Sequence, residues 1–420
     1  MPCPRREGDD AGIPRYPSAA MLRLTTYLHT LLHPGPISPP RRPPGPVVIW
    51  NLVRRCNLTC QHCYSISADK DFPGELSTDE VFAVMDDLRG FGVPVLILSG
   101  GEPLLRPDIF AIGARAKALG FYLGLSSNGT LIDPAMAAYM AEVGFDYVGV
   151  SLDGIGATHD RFRRLAGGFD QAVAGIRLAR DAGLKVGVRY TMTEDNADDL
   201  PALLQWVANE GIDKFYFSHL NYAGRGNKHR DSDARHARTR WAMDQLIETC
   251  LGHLQAGQPK EFVTGNNDAD AVYLLQWAAR HFPGQLDALH TRLRHWGGNA
   301  SGVNVANIDN LGNVHPDTMW WDISLGNVRE RPFSAIWPDV SHPLMAGLKQ
   351  HPRPVSGRCG ACAYLPVCNG NTRVRAWALT GDFWAADPAC YLRDDELGLR
   401  EGAYPLAELT RWQRQPQVSA

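Results

Sequence analysis

From residue 47 onward, short and nearly continuous apolar runs alternate with longer amphipathic stretches. VVIWNL (47–52), VLIL (95–98), FYLGLS (121–126), DYVGVSL (146–152), KVGVRY (185–190) and KFYFSHL (214–220) are β-branched or aromatic and bounded by turn residues. That is the pattern of strands buried on both faces. Between them the apolar period becomes helical. Val81, Val84, Met85 and Leu88 follow a capping box made by Ser77 and Glu80. Further helices are predicted over roughly 107–119, after Asp133-Pro134, and near 170–182 and 198–209. The alternation predicts a parallel, right-handed βα array, either a partial (βα)6 barrel of the TIM type or an open sheet. Ligands of such arrays sit at the carboxyl ends of the strands.

The rhythm is different on either side. Residues 1–20 are polar and read as a loose tail. Met21, itself a candidate start, opens a helical stripe with Leu24, Leu28, Leu31 and Leu32, and seven prolines within 34–46 then impose an extended linker. After about 222 comes a polar, basic loop (222–238), then mostly helical sequence, then a Gly/Asn-rich segment (296–317) that suggests hairpin turns. The expected organisation is tail 1–20, helix and linker 21–46, barrel 47–224, helical connection 225–295, a smaller α+β region 296–398, and tail 399–420.

Composition narrows the class. Apolar residues make up 44% and charged residues 21% of the 420, ordinary for a chain with a sizeable core. The charge sum of 42 − 45 = −3 provides no field for nucleic acid or an acidic membrane. No apolar run approaches the ~20 residues that span a bilayer. MPCPRREGDD lacks the apolar core of a signal peptide, so a cytoplasmic protein is expected. Cysteine changes the picture. Seven of the nine fall into two sets, Cys56, Cys60, Cys63 and Cys359, Cys362, Cys368, Cys390. In a reducing compartment such clustering points to metal or catalysis.

The first set, C-x3-C-x2-C, lies directly after the first strand. Three thiolates on one loop suit three irons of a 4Fe–4S cubane and leave the fourth open to a chelating ligand. The plainer reading is a zinc site or free thiols, against which stands the lack of a nearby fourth ligand. Ser99-Gly100-Gly101-Glu102-Pro103 ends the second strand, and two glycines there permit close approach of a ligand.

These two motifs together resemble the radical SAM superfamily. The resemblance implies S-adenosylmethionine (SAM) on the open iron, cleaved by one electron to a radical that abstracts hydrogen. It casts His62 as the aromatic position before the third cysteine and Gly100, Gly101 and Glu102 as the turn that binds the methionine amino group. Ser151 and Asp153 become contacts to the ribose or carboxylate. Asn128, at the third strand end, and Arg189, a bidentate partner for the methionine carboxylate, complete the expected SAM set. For each strand-end residue the alternative is an ordinary turn role.

The second set resembles the SPASM extension of that superfamily, whose full form holds two auxiliary clusters on seven cysteines. Asp317 and Thr372 stand where two ligands of the first auxiliary cluster would be, and no cysteine lies between 290 and 317. The second keeps Cys359, Cys362, Cys368 and Cys390, giving two 4Fe–4S clusters in all. With no open iron it suits electron transfer; a four-cysteine zinc staple is the alternative.

RRCNLTCQHCYSISAD, FYFSHLNYAGRGN, FVTGNNDADAV, GGNASGVNVANIDNLGNVHPD and CNGNTR are similar to the branch of the superfamily that serves haem d1 biosynthesis, from Met21 to about 398. That similarity implies didecarboxysirohaem as substrate and radical loss of propionate side chains, with the closed cluster accepting the electron left behind. It also implies partners: an electron donor such as flavodoxin or ferredoxin, and other enzymes of that pathway. Arg163, Arg164, Arg225, Lys228 and Arg230 offer cations for substrate carboxylates, or are a solvated charge run. Trp320, Trp321 and Tyr222 offer stacking faces, or are core. His315 and Asp317 occupy the place of the missing cluster, where the macrocycle is expected with His315 near its iron. The rival readings are a tetrapyrrole side-chain decarboxylase of the alternative haem pathway, a SPASM-type peptide or protein modifier, and a metal-binding scaffold without catalysis.

Overall fold

A computed structural model describes residues 21–37, 44–409 and 411. The tail expected over 1–20, the middle of the proline linker and the end of the tail expected over 399–420 lie outside the described residues. The strands are β1 (Leu22–Arg23), β2 (Val47–Val53), β3 (Val95–Gly100), β4 (Tyr122–Ser127), β5 (Tyr147–Ser151) and β6 (Val186–Met192). They continue with β7 (Lys214–His219), β8 (Glu261–Gly265), β9 (Val305–Ile308), β10 (Asn313–His315) and β11 (Gly326–Asn327). All join one sheet in the order β1-β8-β7-β6-β5-β4-β3-β2-β9-β10-β11. Neighbours from β2 to β8 are parallel, so their carboxyl ends share one rim.

The six strands read from the apolar runs are β2 to β7. Their outward side chains, among them Val48, Trp50, Leu96, Leu98, Val148, Val188 and Phe217, are fully buried beneath the helices. Each such side chain contributes about 1.5–3 kcal/mol of burial. The helix Thr78–Gly90 starts on the expected capping box: Ser77 Oγ accepts from Glu80 N at 3.3 Å and Glu80 Oε2 from Ser77 N at 2.7 Å. Asp133 caps Pro134–Val143, its carboxylate accepting from Met136 N at 2.8 Å. Helices Ile109–Ala118, Gly168–Asp181 and Leu200–Asn209 fall where the period predicts them.

The sheet outlasts the sequence rhythm. Within the stretch expected to be a helical connection, β8 adds a seventh parallel strand beside β7, and β1, expected as helix, pairs antiparallel with β8. On the other edge the Gly/Asn-rich segment forms the β9–β10 hairpin, and β9 pairs parallel with β2. Asp309 closes that hairpin by accepting from the backbone N–H of Leu311 and Asn313, both at 2.9 Å. The C-terminal region is thus continuous with the barrel sheet on the side of its first strand. Among the described residues no helix is long and apolar enough to cross a membrane.

Candidate functional site

The rim of strand carboxyl ends opens into a cavity with about 2320 Å³ of non-protein space, its open mouth included. Inward side chains of the strands, Ile49, Ile97, Tyr122, Tyr147 and Tyr216, form its wall. The cysteine loop, Gly100, Gly101, Asn128, Ser151, Arg163, Arg189 and Arg225 all reach it.

The loop after β2 is held from several sides. Cys56 N donates to Ala68 O at 3.1 Å and Gln61 N to Phe162 O at 3.1 Å. Arg225 donates its backbone N–H to Cys63 O (2.9 Å), Nε to Cys60 O at 2.7 Å and Nη1 to Ser67 O at 2.9 Å. Donors also meet the sulfurs: Leu58 N lies 3.4 Å from Cys56 Sγ, Arg163 Nη1 3.5 Å from Cys60 Sγ, and Ser65 Oγ 3.3 Å from Cys63 Sγ. Burial pushes the Cys56 thiol up to about 12 and raises Cys60 as well. Thiols in this setting ionise when a cation takes the proton's place, the condition a metal cluster meets. His62 packs at a tilt against Phe162 with ring centres 4.7 Å apart, and burial lowers its pKa to about 4, so the ring is neutral.

The glycine turn makes a close approach, but to the protein's own backbone. Gly100 has φ +150°, and a Cβ on Gly101 would stand 2.2 Å from Arg55 O. Backbone therefore fills the place a side chain would take, directly beside the cysteine loop.

Several expected contacts need correction. Glu102 is fully buried and does not line the cavity; its carboxylate accepts from Ser127 Oγ (2.9 Å) and Asn128 N (2.8 Å), which joins the turn to the end of β4. Asp153 is likewise fully buried beneath the site, paired with Arg163 and accepting from Thr191 N at 2.7 Å. Arg163 lines the cavity, but Asp153 neutralises it and Cys60 shares it, so it is not a free cation for a substrate. Arg225 is committed to the cysteine loop, although its Nη2 stays unpartnered. His315 is 1% exposed and outside the cavity wall. Its Nδ1 lies 2.7 Å from Ile323 O and its Nε2 3.4 Å from Asp309 Oδ2, so neither nitrogen is available as an axial ligand. Asp317, two residues on, does face the cavity. Trp320 and Tyr222 are core, Tyr222 donating to Asp233 at 2.7 Å, and Trp321 stacks on His315. Arg230 is buried, while Arg164 and Lys228 are exposed; none of the three lines the cavity.

Other residues that line it carried no assignment from sequence. Asn221, 7% exposed, faces the cavity with both amide atoms unpartnered, as does His62 with an unpartnered Nδ1. Asp268 and Asn299 face it from the turn after β8 and the C-terminal region, joined by a 2.8 Å bond from Asn299 Nδ2, and burial raises Asp268 to about 6. Polar residues soon after the strands (Asn221 after β7, NND after β8) were the available signal.

The second cysteine set lies in the C-terminal region, Cys359 and Cys368 on short helices and Cys362 and Cys390 in the loops beside them. Asp387 N donates to Cys359 Sγ at 3.4 Å, Tyr364 N to Cys362 Sγ at 3.3 Å, and Arg358 Nη1 to Cys390 Sγ at 3.1 Å. Burial raises all four thiols, and their charges act on one another, most clearly at Cys368. Among the described residues, however, no three Cys, His, Asp or Glu side chains converge as they would around one metal ion. A zinc tetrahedron draws its sulfurs within about 2.3 Å of one point, whereas a cubane spreads them over four irons.

Comparison with known proteins adds the following. The profile of the Radical SAM superfamily matches residues 50–207. The chain is 57% identical to pre-heme d1 synthase of Dinoroseobacter shibae over 382 residues, covering 90% of this chain and 94% of that one. It is 45% identical to Fe-coproporphyrin III synthase of Methanosarcina barkeri over 360 residues, covering 85% and 90%. Among solved structures, SuiB of Streptococcus suis bound to S-adenosylmethionine superposes with a TM-score of 0.65 at 16% identity, covering 83% of this chain and 77% of that one. This last likeness concerns the fold, a partial barrel followed by a C-terminal region.

Proposed function

The chain belongs to the radical SAM superfamily, and from that membership we propose an enzyme that removes propionate side chains from a decarboxylated sirohaem. The observation that carries this reading is 57% identity to a pre-heme d1 synthase over nine tenths of both chains. Membership brings a 4Fe–4S cluster and SAM, which supply a carbon radical able to take hydrogen from an unactivated carbon.

The chain's own residues divide that task. Cys56, Cys60 and Cys63 hold the cluster on a loop that Arg225 and Arg163 keep in place. The backbone of Gly100 and Gly101 receives the methionine end of SAM, with Asn128, Ser151 and Arg189 as its polar surround. Asn221 and the Nδ1 of His62 keep hydrogen-bonding capacity for a ligand in the same recess. Ile97, Tyr122 and Tyr216 exclude water from the barrel side. Asp268, Asn299 and Asp317 form the wall toward the macrocycle, and cysteines 359, 362, 368 and 390 hold a second, closed 4Fe–4S cluster. A low-potential carrier of the flavodoxin or ferredoxin type supplies electrons, and the reaction takes place in the cytoplasm.

Anaerobic turnover tests this. Purified protein, SAM and dithionite are incubated with didecarboxysirohaem or with iron-coproporphyrin, and 5′-deoxyadenosine and product mass are read together. Loss of mass from the first alone is expected. Conversion of the second alone would favour the haem-pathway decarboxylase, whereas iron-coproporphyrin formed from the first would match the product that the name of the 45% relative states.

A further inference from the structure

The four auxiliary thiols have unequal hydrogen-bond donors. Cys359 and Cys362 meet neutral backbone N–H groups, at 3.4 and 3.3 Å. Cys390 meets a guanidinium. Arg358, just before Cys359 in the chain, turns back so that Nη1 donates to Cys390 Sγ at 3.1 Å. Its other arms reach Asp394 Oδ1 (Nε, 2.8 Å) and the carbonyl of Leu392 (Nη2). Only 5% of Arg358 is exposed, so its charge acts on the sulfur with little solvent between.

We propose that Arg358 sets the reduction potential of the auxiliary cluster through its charged hydrogen bond to Cys390. The proposal rests on the reading that these four cysteines hold one 4Fe–4S cluster. Reduction adds a negative charge to a site already surrounded by four thiolates, and a cation bonded to one sulfur stabilises the reduced form more than the oxidised one. Arg163 stands in a similar relation to Cys60 at 3.5 Å, but it is paired with the fully buried Asp153. Asp394, the counter-charge of Arg358, is 18% exposed and more screened. The arrangement therefore favours the auxiliary cluster as the electron-accepting one of the two.

The test is a potentiometric titration of the full-length, reconstituted protein, followed by electron paramagnetic resonance, in wild type, Arg358→Gln, Arg358→Lys and Asp394→Asn. Arg358→Gln should shift the auxiliary equilibrium about tenfold toward the oxidised form, which is about 59 mV for one electron. Arg358→Lys should shift it less. Asp394→Asn, which removes the screening carboxylate, should shift it the other way, a result a purely structural strut does not produce. The SAM-bound cluster should stay put in all three. Unmoved auxiliary potentials at full iron content would overturn the proposal, as would loss of the auxiliary iron in both Arg358 variants, which would make the arginine an assembly residue. A wild-type protein with about four irons per chain would instead remove the second cluster, and with it the reading on which the proposal stands.

Discussion

Glu102 follows the end of β3 and Asp153 that of β5, and both are fully buried carboxylates that sequence reasoning assigned to SAM. Their surroundings drive them apart. For Asp153, burial is the largest influence and would raise the pKa, but Arg163 together with neighbouring groups and the Thr191 N–H reverses it and holds the carboxylate ionised. Removing one partner of such a buried pair leaves the other uncompensated at a cost of about 3–5 kcal/mol. Asp153→Asn should lose stability on that scale in chemical denaturation, while Ser151→Ala, on the cavity wall, should lower SAM affinity and leave the midpoint in place. Glu102 is in no such ion pair, and burial raises it to about 7 against the opposing N–H of Asn128 and a smaller influence of Arg163. Its folded pKa lies above its unfolded value near 4.5, so the native state binds the extra proton and stability falls as pH rises from about 4.5 to about 7, then levels. The slope is at most about 1.4 kcal/mol per unit. The stability difference between wild type and Glu102→Gln, measured across that window, should shrink with pH; a flat difference would contradict the assignment.

At the level of elements, the glycine turn and the hairpin show different degrees of legibility. The turn was readable because its demand is local. Gly101→Ala would push a Cβ to 2.2 Å from Arg55 O, and the turn must shift. A displacement of about 1 Å there should reduce 5′-deoxyadenosine formation roughly a hundredfold. The β9–β10 turn was also readable, from its Asn and Gly residues, but its partner was not. Asn307 Nδ2 donates to Ile49 O at 2.6 Å and to Asn51, fastening the hairpin to β2 across more than two hundred residues. Asn307→Ala should cost about 1–3 kcal/mol and speed amide exchange in 305–315, with β3 to β6 still protected. β8 escaped notice because EFVTG is five residues long and begins on a charge; only its place beside β7 makes it a strand.

Across the whole molecule, two buried clamps join the C-terminal region to the barrel. Arg375 and Asp387, neither exposed, form a two-pronged pair at 3.0 and 2.8 Å, and Arg375 also reaches Asn266 O at 2.6 Å, just past β8. Tyr391, next to Cys390, donates to Asp270 at 2.7 Å, and Asp270 in turn meets His219 at 3.0 Å on the cavity wall. The auxiliary thiols are thereby anchored to the strand ends that line the cavity. Iron analysis of anaerobically purified protein should give about eight irons per chain, and Cys359→Ser with Cys368→Ser about four, with loss of tetrapyrrole product.

The amino-acid sequence by itself determined the thiol spacings, the glycine turn, the caps and the six barrel strands, because each depends on residues within a few positions of one another. Only the tertiary structure decided which polar groups face the cavity. Asp153 meets Arg163 and Thr191, His315 meets Ile323, and Arg358 meets Cys390. Those pairings arise from register between strands and from the return of the chain, and no local pattern encodes which way a buried carboxylate or imidazole turns.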